Sequence, residues 1–440
     1  MGHALGSAKH LGIEGECQTL FHDMHCSEMR SKPLEQTLTR RQVLGAATLG
    51  WAAPLLAAAR PKTVAAVVTE YRWYSHADVV LGRILGGNSA NGAYHPPHTK
   101  LVSLYTEQVP QNDMSRDMAS RNGFRIYPTI EEALCLGGRR LAVDAVIFIG
   151  EHGNYPTNEA GQKLYPRFEL FSKVLDVYEA KGRGLPTFFD KHLSYSWEKA
   201  KAMYDRAKKL GFPFLAGSSI PLTVRTPQLE LALETPVERA VVVGYGDLDA
   251  YGFHTLESMQ CMVERRRGGE TGVSAVTMLE GDAVWRWHDG EEGTWSRPLL
   301  EAALARHGSG LRTSDVREGT KPALFLLEYR DGMRAAAYML NPRVTQWCFA
   351  ARIQGQSDPV STRFGPPQST RPLPHFDGLV RCIEEMFLTG KAPYPVERTL
   401  LTTGALSLLF ESRRRRGARV ETPELAVAYR SPRNVFVQTA

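Results

Sequence analysis

In the first part of the chain, short unbroken apolar runs alternate with stretches whose apolar residues recur every three or four positions. TVAAVVT (63–69) and LVSLYTE (101–107) are runs of strand length rich in β-branched residues. VDAVIFIG (143–150) carries the unbroken apolar run AVIFI, the pattern of a strand covered on both faces in a parallel sheet. Between these runs the spacing predicts helices near 76–86, 115–123 and 166–181, and SWEKAKAMYDRAKKLG (196–211) reads as another. Gly123, Gly182 and Gly211 are the stops. Pro128-Thr129-Ile130-Glu131-Glu132 starts a further helix with the Thr-x-x-Glu spacing of a capping box. PTFFD (186–190) and FPFLAGSS (212–219) complete the series. Strands alternating with helices imply β-α-β units, hence an α/β chain with a Rossmann-like doubly wound parallel sheet over residues 60–222.

After residue 222 the texture changes. ERAVVVGYG, SAVTMLEG, AVWRWH, PALFLLEY and RAAAYML alternate as strands, and Asp289-Gly290 and Asp331-Gly332 are hairpin signals. They predict a C-terminal α+β domain, 223–440, with a large, mostly antiparallel open sheet. Helices near 376–389 and 398–412 close it. On this reading Trp285 and Trp287 share one face of a strand, packing in the sheet core or stacking on a sugar ring.

Composition narrows the class. With 440 residues, 43% apolar and 23% charged, the chain has the balance of a soluble globular protein of two domains plus a leader. The net charge of +6 is mild, and the Arg413–Arg416 run follows an apolar helix, where cations complement the macrodipole. No aromatic residues interleave with it, so nucleic acid is not an expected partner. Cys135, Cys261, Cys348 and Cys382 are widely spaced among apolar residues without a C-x-x-C, which reads as buried free thiols. Arg40-Arg41 precedes a short Ala/Gly-rich segment ending in small residues before Arg60. This is the pattern of a twin-arginine export signal over residues 1–59, cleaved near Ala59, with a periplasmic or exported product. The segment is too short for a stable membrane span. Residues 1–28 lack periodicity, and Met29 opens a leader of ordinary length, so the true start is expected there.

Candidate chemistry gathers at the carboxyl ends of the predicted strands, where doubly wound sheets bind ligands. Those ends carry Glu70, Glu107, Glu151 with His152, and Asp190-Lys191-His192. Taken singly, each is equally well a solvated loop residue, and Lys191 a strand-end lysine paired with Asp190.

The succession NGFRIYPTIEEAL, VDAVIFIG and FFDKHLSYSWEKAKAMYDRAKKLGFPFLAGS resembles the Gfo/Idh/MocA oxidoreductase family over about residues 62–425. The resemblance implies hydride transfer at a sugar or polyol hydroxyl with NAD or NADP. It puts Asp190-Lys191-His192 on the family's Glu-Lys-Pro and His254, in Gly252-Phe253-His254-Thr255-Leu256-Glu257, on its catalytic histidine. It further implies Glu70, Arg72, Glu107, Glu151 and His152 toward the cofactor, Glu107 accepting from ribose hydroxyls and Arg72 meeting phosphate. Tyr195, Trp197 and Glu257 fall toward the substrate, and a homo-oligomer is expected through the second sheet. Three departures stand out: Thr69 to His76 contains no glycine where the family has G-x-G-x-x-G, Ala250 replaces the aspartate four residues before the histidine, and His192 replaces a proline. Two readings therefore compete with the oxidoreductase. One is a metal-dependent carbohydrate lyase or hydrolase using the acidic and histidine side chains, without any fixed ligand spacing. The other is a periplasmic binding protein that has lost catalysis.

Overall fold

The computed structural model describes residues 60–365 and 373–439; the twin-arginine segment lies outside them. The first sheet is built from β1 (Lys62–Val68), α1 (His76–Gly86), β2 (Thr99–Thr106), α2 (Ser115–Asn122), β3 (Arg125–Ile126), α3 (Ile130–Cys135), β4 (Ala145–Ile149), α4 (Arg167–Ala180), β5 (Thr187–Asp190), α5 (Trp197–Leu210) and β6 (Phe214–Gly217). Its six strands are parallel in the order β3-β2-β1-β4-β5-β6. All five residues of β4 are buried, as its unbroken apolar run requires. Thr129 caps α3 by accepting from the Glu132 amide at 3.1 Å.

The second sheet follows with β7 (Arg225–Thr226), β8 (Val237–Gly244), α6 (Ala250–Val263), β9 (Val273–Glu280), α7 (Asp282–Asp289), α8 (Arg297–Leu304), β10 (Lys321–Tyr329), β11 (Arg334–Asn341), β12 (Trp347–Ile353), β13 (Val360–Phe364), α9 (Asp377–Thr389), α10 (Glu397–Arg414) and β14 (Val420–Glu421). The eight strands run β14-β9-β10-β11-β8-β12-β13-β7 and are antiparallel apart from the β8–β11 pair. Asp331-Gly332 turns the β10–β11 hairpin as expected. Asp289-Gly290 does not make a hairpin, and AVWRWH is no strand. It lies in α7, where Val284 and His288, four residues apart, turn inward. Trp287 meets Trp295 edge-on at 6.1 Å, so this tryptophan is packing, and no shared strand face exists for stacking a sugar.

One face of the second sheet carries α6 and α10; α7 and α8 cover the other. α9 instead returns to the first sheet, packing Leu379, Val380, Ile383 and Met386 against Val64, Ile147 and Ile84, with Asp377 paired to Arg83. Cys135, Cys261, Cys348 and Cys382 are buried free thiols. No helix among the described residues is long and apolar enough to cross a membrane.

Candidate active site in the crevice between the sheets

The carboxyl ends of β4 and β5 open on a crevice of about 530 Å³ that the start of α6 and the segment before α9 also line. Four residues that line it, Tyr74, His152, Lys191 and Leu373, hold left-handed backbone angles (φ 62°, 71°, 67° and 58°). Such angles cost roughly 1–3 kcal/mol in a side chain with a Cβ and persist where surrounding structure enforces them. At Lys191 the turn aims the side chain across the crevice, where its Nζ lies 2.6 Å from His254 Nε2 and 3.8 Å from Glu151 Oε1. The alternative partner, Asp190, is taken by His76 at 2.7 Å.

Hydrogen bonds fix the state of His254. Lys191 donates to its Nε2, so Nδ1 carries the hydrogen and donates to Ser218 Oγ at 2.6 Å. Burial, reinforced by the Lys191 cation, holds this imidazole well below its usual pKa, so it is neutral. Burial would raise the Glu151 carboxyl, but the Lys191 and Arg167 cations outweigh it and keep the group ionised. Fully buried Arg167 reaches from the first turn of α4 to Glu151, and donates to His192 Nε2 at 2.8 Å. His192 therefore carries its hydrogen on Nδ1, which has no partner; His152 Nε2, His375 Nδ1 and Asp249 Oδ1 are likewise buried without a hydrogen bond. All four residues line the crevice, a concentration of unspent polar atoms that a ligand rich in hydroxyl or carbonyl oxygens would satisfy.

Burial pushes the Asp249 carboxyl up to about 6. Its unfolded value is near 4, so between about pH 4 and 6 the folded state holds a proton that the unfolded state releases. Stability therefore falls as pH rises through that window, and the loss persists above it. Asp249→Asn, which keeps an acceptor for the Lys163 amide (2.9 Å in the parent), is expected to gain up to about 3 kcal/mol at pH 8 and almost nothing at pH 4. Urea unfolding at the two pH values reads this directly.

Beneath His254, buried Glu257 accepts from Thr402 Oγ1 at 2.8 Å, Thr399 Oγ1 at 3.1 Å and the Ser218 amide at 3.3 Å. Gly217 sits on this knot at φ 123°, where a Cβ would lie 2.7 Å from both Glu257 Oε2 and Thr399 Oγ1. Gly217→Ala should cost about 1–3 kcal/mol in denaturant unfolding and loosen the Ser218–His254 contact.

The expected site residues thus divide. Lys191, His254, His192, Glu151 and His152 meet in the crevice, with Asp190 behind His76. Glu257 supports the floor and does not line it. Tyr195 and Trp197 do not reach it: the Tyr195 hydroxyl accepts from Lys199 at 2.6 Å, and Trp197 packs over Gly404 of α10. Trp197 starts α5 on the face that α10 covers, and Tyr195, just before it, stays with Lys199 and Gln162. Glu70 pairs with Arg72 at 2.5 Å, and Glu107 accepts from the Tyr155 hydroxyl, so these groups meet one another. Sequence reasoning misses Arg167, His76, His375 and Ser218. Of these only Ser218, at the end of a predicted strand, carried a positional signal. Among the described residues no three His, Cys, Asp or Glu side chains are grouped to hold a metal ion, so the metal-dependent reading has no ligand set.

Solved structures share this architecture. Apo scyllo-inositol dehydrogenase from Lactobacillus casei superposes with a TM-score of 0.51 at 11% identity, over 82% of this chain and 98% of that one. GenD2 from gentamicin A biosynthesis, in complex with NAD, gives 0.50 at 14% identity, over 82% and 96%. A Gfo/Idh/MocA family oxidoreductase from Vibrio cholerae gives 0.47 at 15% identity, over 80% and 99%. With the first two the chain shares a two-part fold: a Rossmann-like parallel sheet followed by a mostly antiparallel one. No protein-family model and no curated protein matches it.

Proposed function

We propose that the crevice is the active site of an enzyme acting on a sugar or related polyhydroxy compound, in which Lys191 and His254 handle the proton of a substrate oxygen. The observation that supports this reading is the 2.6 Å contact between Lys191 Nζ and a neutral His254 Nε2 inside a cavity of ordinary ligand size. A substrate oxygen entering between the two takes over the Lys191 hydrogen bond and frees Nε2 to accept a proton. Ser218 keeps the tautomer that makes Nε2 the basic nitrogen. Glu151 holds the Lys191 amine in place, itself anchored by Arg167. The unpartnered nitrogens of His192, His152 and His375 meet further oxygens of a polyol.

Oxidoreduction is the activity that the names of the structural neighbours suggest, and NAD(P) would supply its hydride acceptor. The turn from β1 into α1 does not fit the diphosphate of such a group. Two amides of this turn are spent on the chain's own side chains: Ser75 Oγ accepts from Asp78 N at 3.2 Å, and Asp78 Oδ2 from Tyr74 N at 2.9 Å. No glycine lets a phosphate approach, and the Glu70 carboxylate lies in the same turn.

Calorimetric titration of the mature protein with a panel of hexoses, inositols and sugar acids tests the polyhydroxy reading. Saturable binding by at least one member is expected, and silence across the panel ends it. The Arg40-Arg41 segment supports export of the folded chain by the twin-arginine route. Replacing both arginines by lysine should retain the precursor inside the cell, and mass spectrometry of the exported form should find its new N-terminus near Arg60.

A further inference from the structure

In dinucleotide-binding sheets of this order the cofactor lies across the carboxyl ends of the strands, at the crevice beside β1. Here the chain itself lies there. β1 is flanked by β2 and β4, so a connection between the ends of those two neighbours has to pass over the end of β1. Several such connections exist. Gln108 Oε1 accepts from the Asn154 amide at 2.9 Å, Gln108 Nε2 donates to the Asn154 carbonyl at 3.3 Å, and the Tyr155 hydroxyl donates to Glu107. Thr69 Oγ1 donates to the Glu151 carbonyl at 2.8 Å and pins this strap to the end of β1. The strap is tight: Gly153 sits at φ 116°, where a Cβ would lie 2.5 Å from the Tyr155 ring and 3.2 Å from Gln108 Oε1. On the other side, the Met114 amide donates to the Tyr71 carbonyl at 2.7 Å, tying the turn after β1 to the loop after β2. Glu70 and Arg72 pair within the turn after β1, and Arg72 Nη2 lies 3.4 Å from His152 Nδ1 of the strap.

We infer that residues 151–155 stand permanently where a dinucleotide would lie, and that the site works without one, isomerising a small polyhydroxy carbonyl compound by proton transfer alone. The inference rests on the reading of Lys191 and His254 as the proton-handling pair. Lys191 hydrogen-bonds to the substrate carbonyl oxygen, and His254 Nε2 takes the proton from the adjacent hydroxyl-bearing carbon. The electron pair of that C–H bond becomes the C=C bond of an enediolate as the carbonyl pair moves onto the oxygen at Lys191. His254 returns the proton to the former carbonyl carbon while the hydroxyl proton passes between the two oxygens. A carbonyl re-forms one carbon away at unchanged overall oxidation level, and no hydride acceptor is consumed.

The test uses the full mature chain in three steps. The denatured protein is extracted and analysed for dinucleotides by mass spectrometry; NAD⁺ and NADP⁺ are titrated into the native protein by calorimetry; and aldoses, ketoses and keto-inositols are incubated with it in D₂O, with carbon-bound deuterium followed by NMR. The expected result is no dinucleotide in the extract, no saturable heat, and deuterium in at least one compound that disappears in Lys191→Ala of unchanged melting temperature. A stoichiometric dinucleotide, or a saturable titration, overturns the inference and leaves the polyhydroxy reading standing. Compounds that bind and exchange no deuterium overturn the proton-transfer chemistry. A panel in which nothing binds, with no dinucleotide present either, brings down the Lys191–His254 reading and the inference with it.

Discussion

Lys191→Ala is expected to lower turnover of the polyhydroxy substrate by about 10²–10⁴-fold, the usual range for loss of a positioned proton-transfer group. Substrate affinity should fall far less, because the donors of His192, His152 and His375 remain. The loss is in the transition state: Lys191 Nζ is the hydrogen-bond donor aimed at the oxygen on which charge develops, 2.6 Å from the base that moves the proton. Lys191→Arg should not rescue activity. A planar fork cannot replace a compact amine seated between Glu151 and His254, and the left-handed backbone at 191 leaves no freedom to re-aim it. Stability should change little, since Glu151 keeps its bond to Arg167 and is not left as a lone buried charge. Steady-state kinetics beside a thermal melt of each variant separates these effects; a Lys191→Ala enzyme of full kcat would remove the lysine from the mechanism.

Arg398→Met should produce the largest loss of stability, about 3–5 kcal/mol in denaturant unfolding. Arg398 of α10 bonds Glu264, which caps the end of α6, through two contacts, 2.8 Å and 2.6 Å, and both side chains are buried. Burial opposes the Arg398 charge, but the adjacent carboxylate outweighs it and holds the guanidinium firmly protonated. Removing one partner strands the other charge in the core. The Tyr429 hydroxyl also donates to Glu264, at 2.9 Å, and cannot neutralise it. The double variant Arg398→Met with Glu264→Leu is expected to recover most of the loss, because neither charge then remains buried. The pair also clamps the helix carrying His254 to the helix whose Thr399 and Thr402 hold Glu257, so Arg398→Met should lower activity through the site floor. A double variant as unstable as the single one would show that packing, not the stranded carboxylate, dominates.

Local chemistry made much of this molecule readable in advance. The apolar run 145–149 can be satisfied only by cover on both faces, and Gly123 and Gly211 end their helices in the left-handed conformation that glycine adopts without strain. Asp331-Gly332 makes its hairpin because the turn conformation is a property of those two residues. AVWRWH misleads for the opposite reason. Six residues of alternation fit a strand and a helix equally, and the contacts of Val284 and His288 with the rest of the protein decide between them.

The pairing of Lys191 with His254 came from the family resemblance. By itself, then, the sequence determined the order of elements around the first sheet, its parallel run and the strand ends where chemistry gathers. Those properties rest on dihedral preference and periodicity within a few residues. Tertiary structure alone decided that Asp190 belongs to His76 and not to Lys191, that buried Arg167 fixes both Glu151 and His192, and that Tyr195 and Trp197 face away from the crevice. It also decided that the end of β1 is strapped shut. Gln108 and Asn154 stand 46 positions apart, and no local preference records that two loops of ordinary polar residues will spend their hydrogen bonds on each other. The missing glycines show only that a cradle is absent; what fills its place is set by long-range hydrogen bonding, which forms when the strands bring those loops together.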